Sequence, residues 1–257
     1  FAIQMQMGID GIAMGTVVAQ YLGLGIWVVG SMMDKGLKEY LKRGNGESGE
    51  GISYWSFMGK NLDILLRTMV IVGVHFGITI LSAKIGETAI ACTACLMQFF
   101  LLFSYLSDAL AYAAEALTGK YIGSRSKVEL QEMKKLLFGW CSVLAIGYCV
   151  VYTIWWGDIL RLMGASEDVV GYAREYMPLV ILITALSFVS FIADGIMLGA
   201  SNTRAMFKTM WGAGIMCAAC VWGLWSWDAQ WALWIGFGVF MVMRGILLLP
   251  AVKKVGA

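Results

Sequence analysis

The chain predicts an all-α polytopic membrane protein with seven membrane-crossing helices. Three observations carry this. Hydrophobic residues make up 60% of the 257 positions and charged ones only 14%, against about 45–50% and about 25% in water-soluble domains. Mean hydropathy is +0.74. The apolar stretches run unbroken over about 20 residues or more and lack the period-two alternation of a membrane β-barrel. Glycine is abundant (31) and proline scarce (two), which suits helices that approach closely in lipid.

The spans follow in order. The first is Gly8–Met33, apolar and rich in glycine. A polar connection, Asp34–Asp63, comes next: its front is charged, and Gly44-Asn45-Gly46-Glu47-Ser48-Gly49-Glu50-Gly51 has the composition of a flexible linker. This is the best lobe boundary in the chain, and Trp55 and Phe57 beyond it suit a membrane surface. The second span, Ile64–Ala83, carries the only histidine, His75. The third, Thr88–Thr118, would be roughly 46 Å long at 1.5 Å per residue, so it must tilt or project into water. The fourth is Leu136–Trp156. The fifth, Val170–Gly199, contains Pro178, which removes a helix hydrogen bond and predicts a kink. Ala205–Trp227 and Gln230–Leu249 complete the set, and the tryptophans from Trp222 to Trp234 bracket the turn between them as an interfacial aromatic belt. The chain starts with Phe1 and shows no signal-peptide pattern, so its start is expected to be truncated or processed.

Charge distribution sets the orientation. With the first span starting outside, all but Lys84, Arg161 and Arg174 of the 19 basic residues fall on the inner side, and the C-terminus is cytoplasmic. The basic stretch Lys120–Lys135 is broken by Glu129 and Glu132, and reads as an inward connection with no nucleic-acid surface. The six cysteines include two C-x-x-C pairs, Cys92/Cys95 and Cys217/Cys220, inside apolar runs; they read as small buried hydrophobes, because a zinc site needs ligands the chain lacks. Nucleophile-elbow, zinc-hydrolase and phosphate-loop patterns are absent, which excludes the common membrane enzymes. No cofactor or metal is expected.

Acids inside membrane helices are the informative residues. A charge at mid-helix costs about 2.5–3.5 kcal/mol even on the lenient insertion scale, so it marks a protein interior or a watery path. Asp194 follows Ser187-Phe188-Val189-Ser190-Phe191-Ile192-Ala193, and Ser187, Ser190 and Asp194 share one helical face. Asp108 and Glu115 lie seven residues apart, two turns on one stripe, with Tyr112 between them. Asp194, Asp108 and His75 are therefore the candidate transport or ion-coupling residues. Glu115, Tyr112, Ser187, Ser190 and Gln98 are candidate cavity or structural polar groups; Glu115 can also pair with Lys120, and Gln98 is expected to bond between helices.

These stretches resemble a known family. Ser104-Tyr105-Leu106-Ser107-Asp108-Ala109-Leu110-Ala111-Tyr112-Ala113-Ala114-Glu115-Ala116-Leu117 resembles the eighth helix of the multidrug and toxic compound extrusion (MATE) transporters, most closely the bacterial DNA-damage-inducible F branch. Phe191-Ile192-Ala193-Asp194-Gly195-Ile196-Met197-Leu198-Gly199-Ala200-Ser201-Asn202-Thr203-Arg204 is similar to the tenth, and Gly11-Ile12-Ala13-Met14-Gly15-Thr16-Val17-Val18-Ala19-Gln20 to the sixth. The resemblance implies a twelve-helix fold of two six-helix lobes. Residues 1–43 would be the last helix of the first lobe and the start of a cytoplasmic linker, 44–60 the inter-lobe linker and 61–257 the second lobe, with five first-lobe helices missing. It implies antiport of organic cations or amphiphiles across the bacterial inner membrane, driven by H⁺ or Na⁺. The sodium-driven branch places an acid on the seventh helix; Ile64–Ala83 has none, which favours protons. Two alternatives stay open. A lipid-linked precursor flippase of related fold would want a more cationic cavity than Arg67 and Arg244, near span ends, supply. A seven-span receptor fits the helix count, although the last span has no lysine for a retinal Schiff base.

Overall fold

The computed structural model describes residues 8–33 and 54–256. Seven helices result: α1 Gly8–Met33, α2 Tyr54–Ile85, α3 Glu87–Gly123, α4 Lys127–Leu162, α5 Glu167–Gly199, α6 Thr203–Leu224 and α7 Ala229–Lys254. All seven are long and apolar enough to cross a membrane, and no strand occurs among the described residues. The linker Gly44–Gly51 lies outside the described residues. Residues 54–60, the last of the expected linker, form the first turns of α2. The chain divides into two compact units, Phe1–Tyr54 and Trp55–Ala257. In the first, α1 is a single apolar helix of 26 residues.

Six helices build the second unit, joined by very short turns. Gly86 alone connects α2 to α3, at φ +157° and ψ +171°, a backbone state open essentially to glycine. Connections of three or four residues leave sequential helices antiparallel. Most helices overrun their expected spans, because a helix continues past the end of an apolar run for as long as its backbone bonds are made. The 37 residues of α3 measure about 55 Å at 1.5 Å each, more than a hydrocarbon core of about 30 Å.

The central helix is α5, packed against α3, α4 and α7, while α6 packs on α7. It continues through Pro178, where the Arg174 carbonyl loses its usual helical donor. Around α5 the core is aromatic: Phe99, Phe100 and Phe103 of α3 and Trp234, Phe237 and Phe240 of α7 are fully buried. The Phe100 and Phe237 rings meet edge to face at 4.9 Å. Trp234 therefore leaves the expected aromatic belt, whereas Trp222 and Trp227 remain 85% and 71% exposed, as an interfacial position requires. All six cysteines are free thiols.

Polar groups inside the unit join helices. Ser82 of α2 bonds Thr93 of α3 at 2.7 Å, and Gln230 of α7 donates to the same Thr93 hydroxyl at 3.0 Å. Lys134 of α4 is buried and donates to the carbonyls of Val252 (3.0 Å) and Val255 (2.6 Å) at the end of α7, where Val252 also accepts from the Val255 N–H. Replacing Lys134 by Met is expected to cost about 2–3 kcal/mol, since hydrogen bonds from a charged donor contribute about 1.5–3 kcal/mol. Thermal unfolding of the purified protein in detergent checks this.

Candidate functional site

A cavity of about 280 Å³ opens between α2, α3, α5 and α7. Three charged helices meet there. Arg67 of α2 donates through Nη2 to Oδ2 of Asp194 on α5 at 2.5 Å. Arg244 of α7 brings its Nη2 to 3.5 Å from the same oxygen. Asp194 is 7% exposed and Arg244 4%, so both charges are withdrawn from water and depend on each other. The Arg244 guanidinium also lies 5.3 Å from the centroid of the Phe191 ring, one turn before Asp194.

Packing explains how these side chains converge. Asp194 on α5 and Arg244 on α7 are each followed by a glycine that lets the helix press on a neighbour. A Cβ on Gly195 would run into the backbone of Ala111 on α3, and one on Gly245 would lie 2.7 Å from the Ser190 hydroxyl on α5. The close approach of α3 to α5 brings Asp108, Tyr112 and Glu115 to the cavity wall. His75 of α2 lines it as well, with its ring 5.5 Å from Phe237 and 6.4 Å from Phe100.

Asp194, Asp108 and His75, read from the sequence as one candidate set, thus surround one cavity, and Glu115 and Tyr112 join them. No ion pair between Glu115 and Lys120 occurs among the described residues. Ser187 and Ser190 do not face the cavity despite sharing a helical face with Asp194. The Ser187 hydroxyl donates to the Thr184 carbonyl of its own helix at 2.8 Å, and that of Ser190 to the Met241 carbonyl of α7 at 2.5 Å, so only Ser190 joins two helices. Gln98 is exposed on α3 and away from the cavity, and makes no hydrogen bond to another helix among the described residues.

The expected spans put Arg67 and Arg244 near their ends, but α2 starts at Tyr54 and α7 ends at Lys254, which leaves both well inside their helices. The signal was available: each is the lone charge between apolar flanks, Ile64-Leu65-Leu66 before Arg67 and Met241-Val242-Met243 before Arg244. Such a charge needs an acid from another helix. Asp63, just outside the expected second span, belongs to α2 but accepts from the Thr203 hydroxyl at 3.1 Å at the start of α6, away from the cavity.

In charge the cavity holds three carboxylates against two guanidiniums, with His75 beside them. Asp194 has two cationic partners. No hydrogen bond or ion pair ties Asp108 to another described residue. The Nε atoms of Arg67 and Arg244 and Nε2 of His75 are buried without a protein partner, so the cavity suits water or the polar groups of a solute.

The MatE family model matches residues 64–218, a segment that includes α3, α5 and the Arg67–Asp194 pair. The chain belongs to the MatE family. MatE proteins are membrane transporters and not enzymes, and this one is a multi-pass membrane protein. The chain is 27% identical over 250 residues to DNA damage-inducible protein F of Escherichia coli (strain K12), covering 95% of this chain and 53% of that protein. It is 25% identical over 261 residues to the uncharacterized transporter YisQ of Bacillus subtilis (strain 168), covering 94% of this chain and 53% of that one. Protein DETOXIFICATION 45, chloroplastic, of Arabidopsis thaliana is 24% identical over 246 residues, 95% of this chain and 42% of its own length. The chain spans about half the length of the curated relatives it matches. No solved structure matches it.

Proposed function

We propose that the six-helix unit is the second lobe of a proton-coupled antiporter that exports cationic or amphipathic organic compounds. It would sit in the bacterial inner membrane with its C-terminus in the cytoplasm and work with a first six-helix lobe by alternating access. The observation that carries the reading is the set of acids and arginines lining one cavity: Asp108 and Glu115 stand on one wall, and Asp194 is clamped by Arg67 and Arg244 on the other. Excess negative charge in a low-dielectric cleft favours a cation. Asp108, with no hydrogen-bond or ion-pair partner among the described residues, is the group able to exchange a proton or a cationic solute. Asp194 shares one carboxylate oxygen between two arginines, which ties the spacing of α2, α5 and α7 to its charge. The flippase reading asks for a cationic cavity, and here carboxylates outnumber the guanidiniums.

Ethidium export from everted membrane vesicles under an imposed proton gradient tests this. Asp108→Asn is expected to weaken export about tenfold, equivalent to about 1.4 kcal/mol in cation binding, with normal amounts of protein in the membrane. Export that ignores the gradient, or that Asp108→Asn leaves intact, would sink the coupling role.

A further inference from the structure

We infer that the end of the six-helix unit opposite the Trp222–Trp227 turn carries a separate binding site for the phosphate headgroup of an anionic phospholipid. A cavity of about 490 Å³ lies there, where the last turn of α3, the start of α4, the α5–α6 turn and the end of α7 come together. Arg125 and Lys127 line it from the α3–α4 turn and the start of α4, and Lys254 from the end of α7. No acidic side chain is among its lining residues, and none of the three cations is in an ion pair with a described residue. Leu130, Ala251 and Val255 form an apolar wall beside the charges. Cations at the mouth and hydrocarbon along the wall match a lipid, whose phosphate stays at the interface while its chains descend between helices. A free phosphate would leave that wall unused.

The site is built by the fold and does not depend on loose loops. Arg125 is held at φ +56° in a turn closed by Ser126 N–H donating to Tyr121 O at 3.0 Å and Arg125 N–H donating to Ile122 O at 3.1 Å. The wall from α7 is clamped to α4 by buried Lys134, whose ammonium holds the Val252 and Val255 carbonyls. Gly256, at φ +80°, lies so close to α4 that a Cβ there would come within 2.5 Å of Leu130 Cδ2. This end is the one that the basic residues assign to the cytoplasm, where a leaflet rich in anionic lipid would meet it.

Lipid binding to the purified protein in neutral detergent, followed by native mass spectrometry and thermal shift, tests the site. The probes are dioleoylphosphatidylglycerol, dioleoylphosphatidylcholine and inorganic phosphate. The wild type is expected to retain phosphatidylglycerol in preference to phosphatidylcholine. The Arg125→Gln/Lys127→Gln/Lys254→Gln variant is expected to bind it about a hundredfold more weakly, at roughly fivefold per cation near an anionic surface. A control with Lys84→Gln and Arg174→Gln, at the opposite end, should bind as wild type. Lys254→Glu alone should lower affinity further than Lys254→Gln. Equal binding by the triple variant and the wild type overturns the site. So does an equal loss in the control, which would mean general surface charge, or displacement of the lipid by excess inorganic phosphate, which would mean a free-anion site.

Discussion

Asp194→Asn is expected to abolish export and to destabilise the six-helix unit by about 3–5 kcal/mol, the usual cost of removing one partner from a buried ion pair. The carboxylate is the anion shared by Arg67 and Arg244, whose Nη2 atoms reach the same Oδ2. An amide there leaves two guanidiniums facing one another, one of them 4% exposed, with nothing to offset their repulsion. Loss of export from the single variant is therefore ambiguous, since misfolding and a missing transport carboxylate both produce it. Asp194→Asn combined with Arg67→Gln separates the two. It removes one charge of each sign and is expected to recover most of the thermal stability in detergent while export stays at background. A double variant that is stable and exports ethidium like the wild type would reduce Asp194 to a structural anchor. Unchanged export in the single variant would refute its role outright.

How far the sequence spoke for itself depends on whether the signal was local. All seven helices were legible, because each is an apolar run that a window along the chain detects. Their lengths were not: α2 starts at Tyr54 and α4 at Lys127, both ahead of the apolar stretches that revealed them. Asp108, Glu115 and Tyr112 could be grouped since they lie on one stripe of one helix. Asp194 and Arg67 are 127 positions apart, and nothing in either neighbourhood names the other. Each announces only that a charge in an apolar helix needs a partner, without naming it. Ser190 misled for the opposite reason. Its spacing from Asp194 suggests a shared polar face, yet Gly245 brings α7 so near that the hydroxyl is spent on the Met241 carbonyl.

Gly195→Val is expected to be the most damaging change that touches no charge, at about 3 kcal/mol or more, the upper end for overpacking. A Cβ at this position would lie 2.9 Å from both Cα and the carbonyl carbon of Ala111, and nearer still to its oxygen. Those are backbone atoms of α3, so no side chain can turn aside, and the two helices must part. One turn on, a Cβ at Gly199 would meet the Glu115 carbonyl oxygen and lie 2.8 Å from Thr118 Cβ, which makes Gly195 and Gly199 one continuous contact. Gly73 of α2 is the control: nothing lies within 4 Å of its Cβ position, so Gly73→Ala should stabilise slightly through helix propensity, by about 1 kcal/mol at most. Tryptophan fluorescence during heating ranks the two variants. The milder Gly195→Ala carries the functional consequence. Parting α3 from α5 moves the wall that bears Asp108 and Glu115 away from Asp194, so export should fall at temperatures where this variant is still folded. Export at the wild-type rate from a folded Gly195→Ala protein would mean that the spacing of the two carboxylate walls does not matter to transport, and the cavity would lose its claim to be the site.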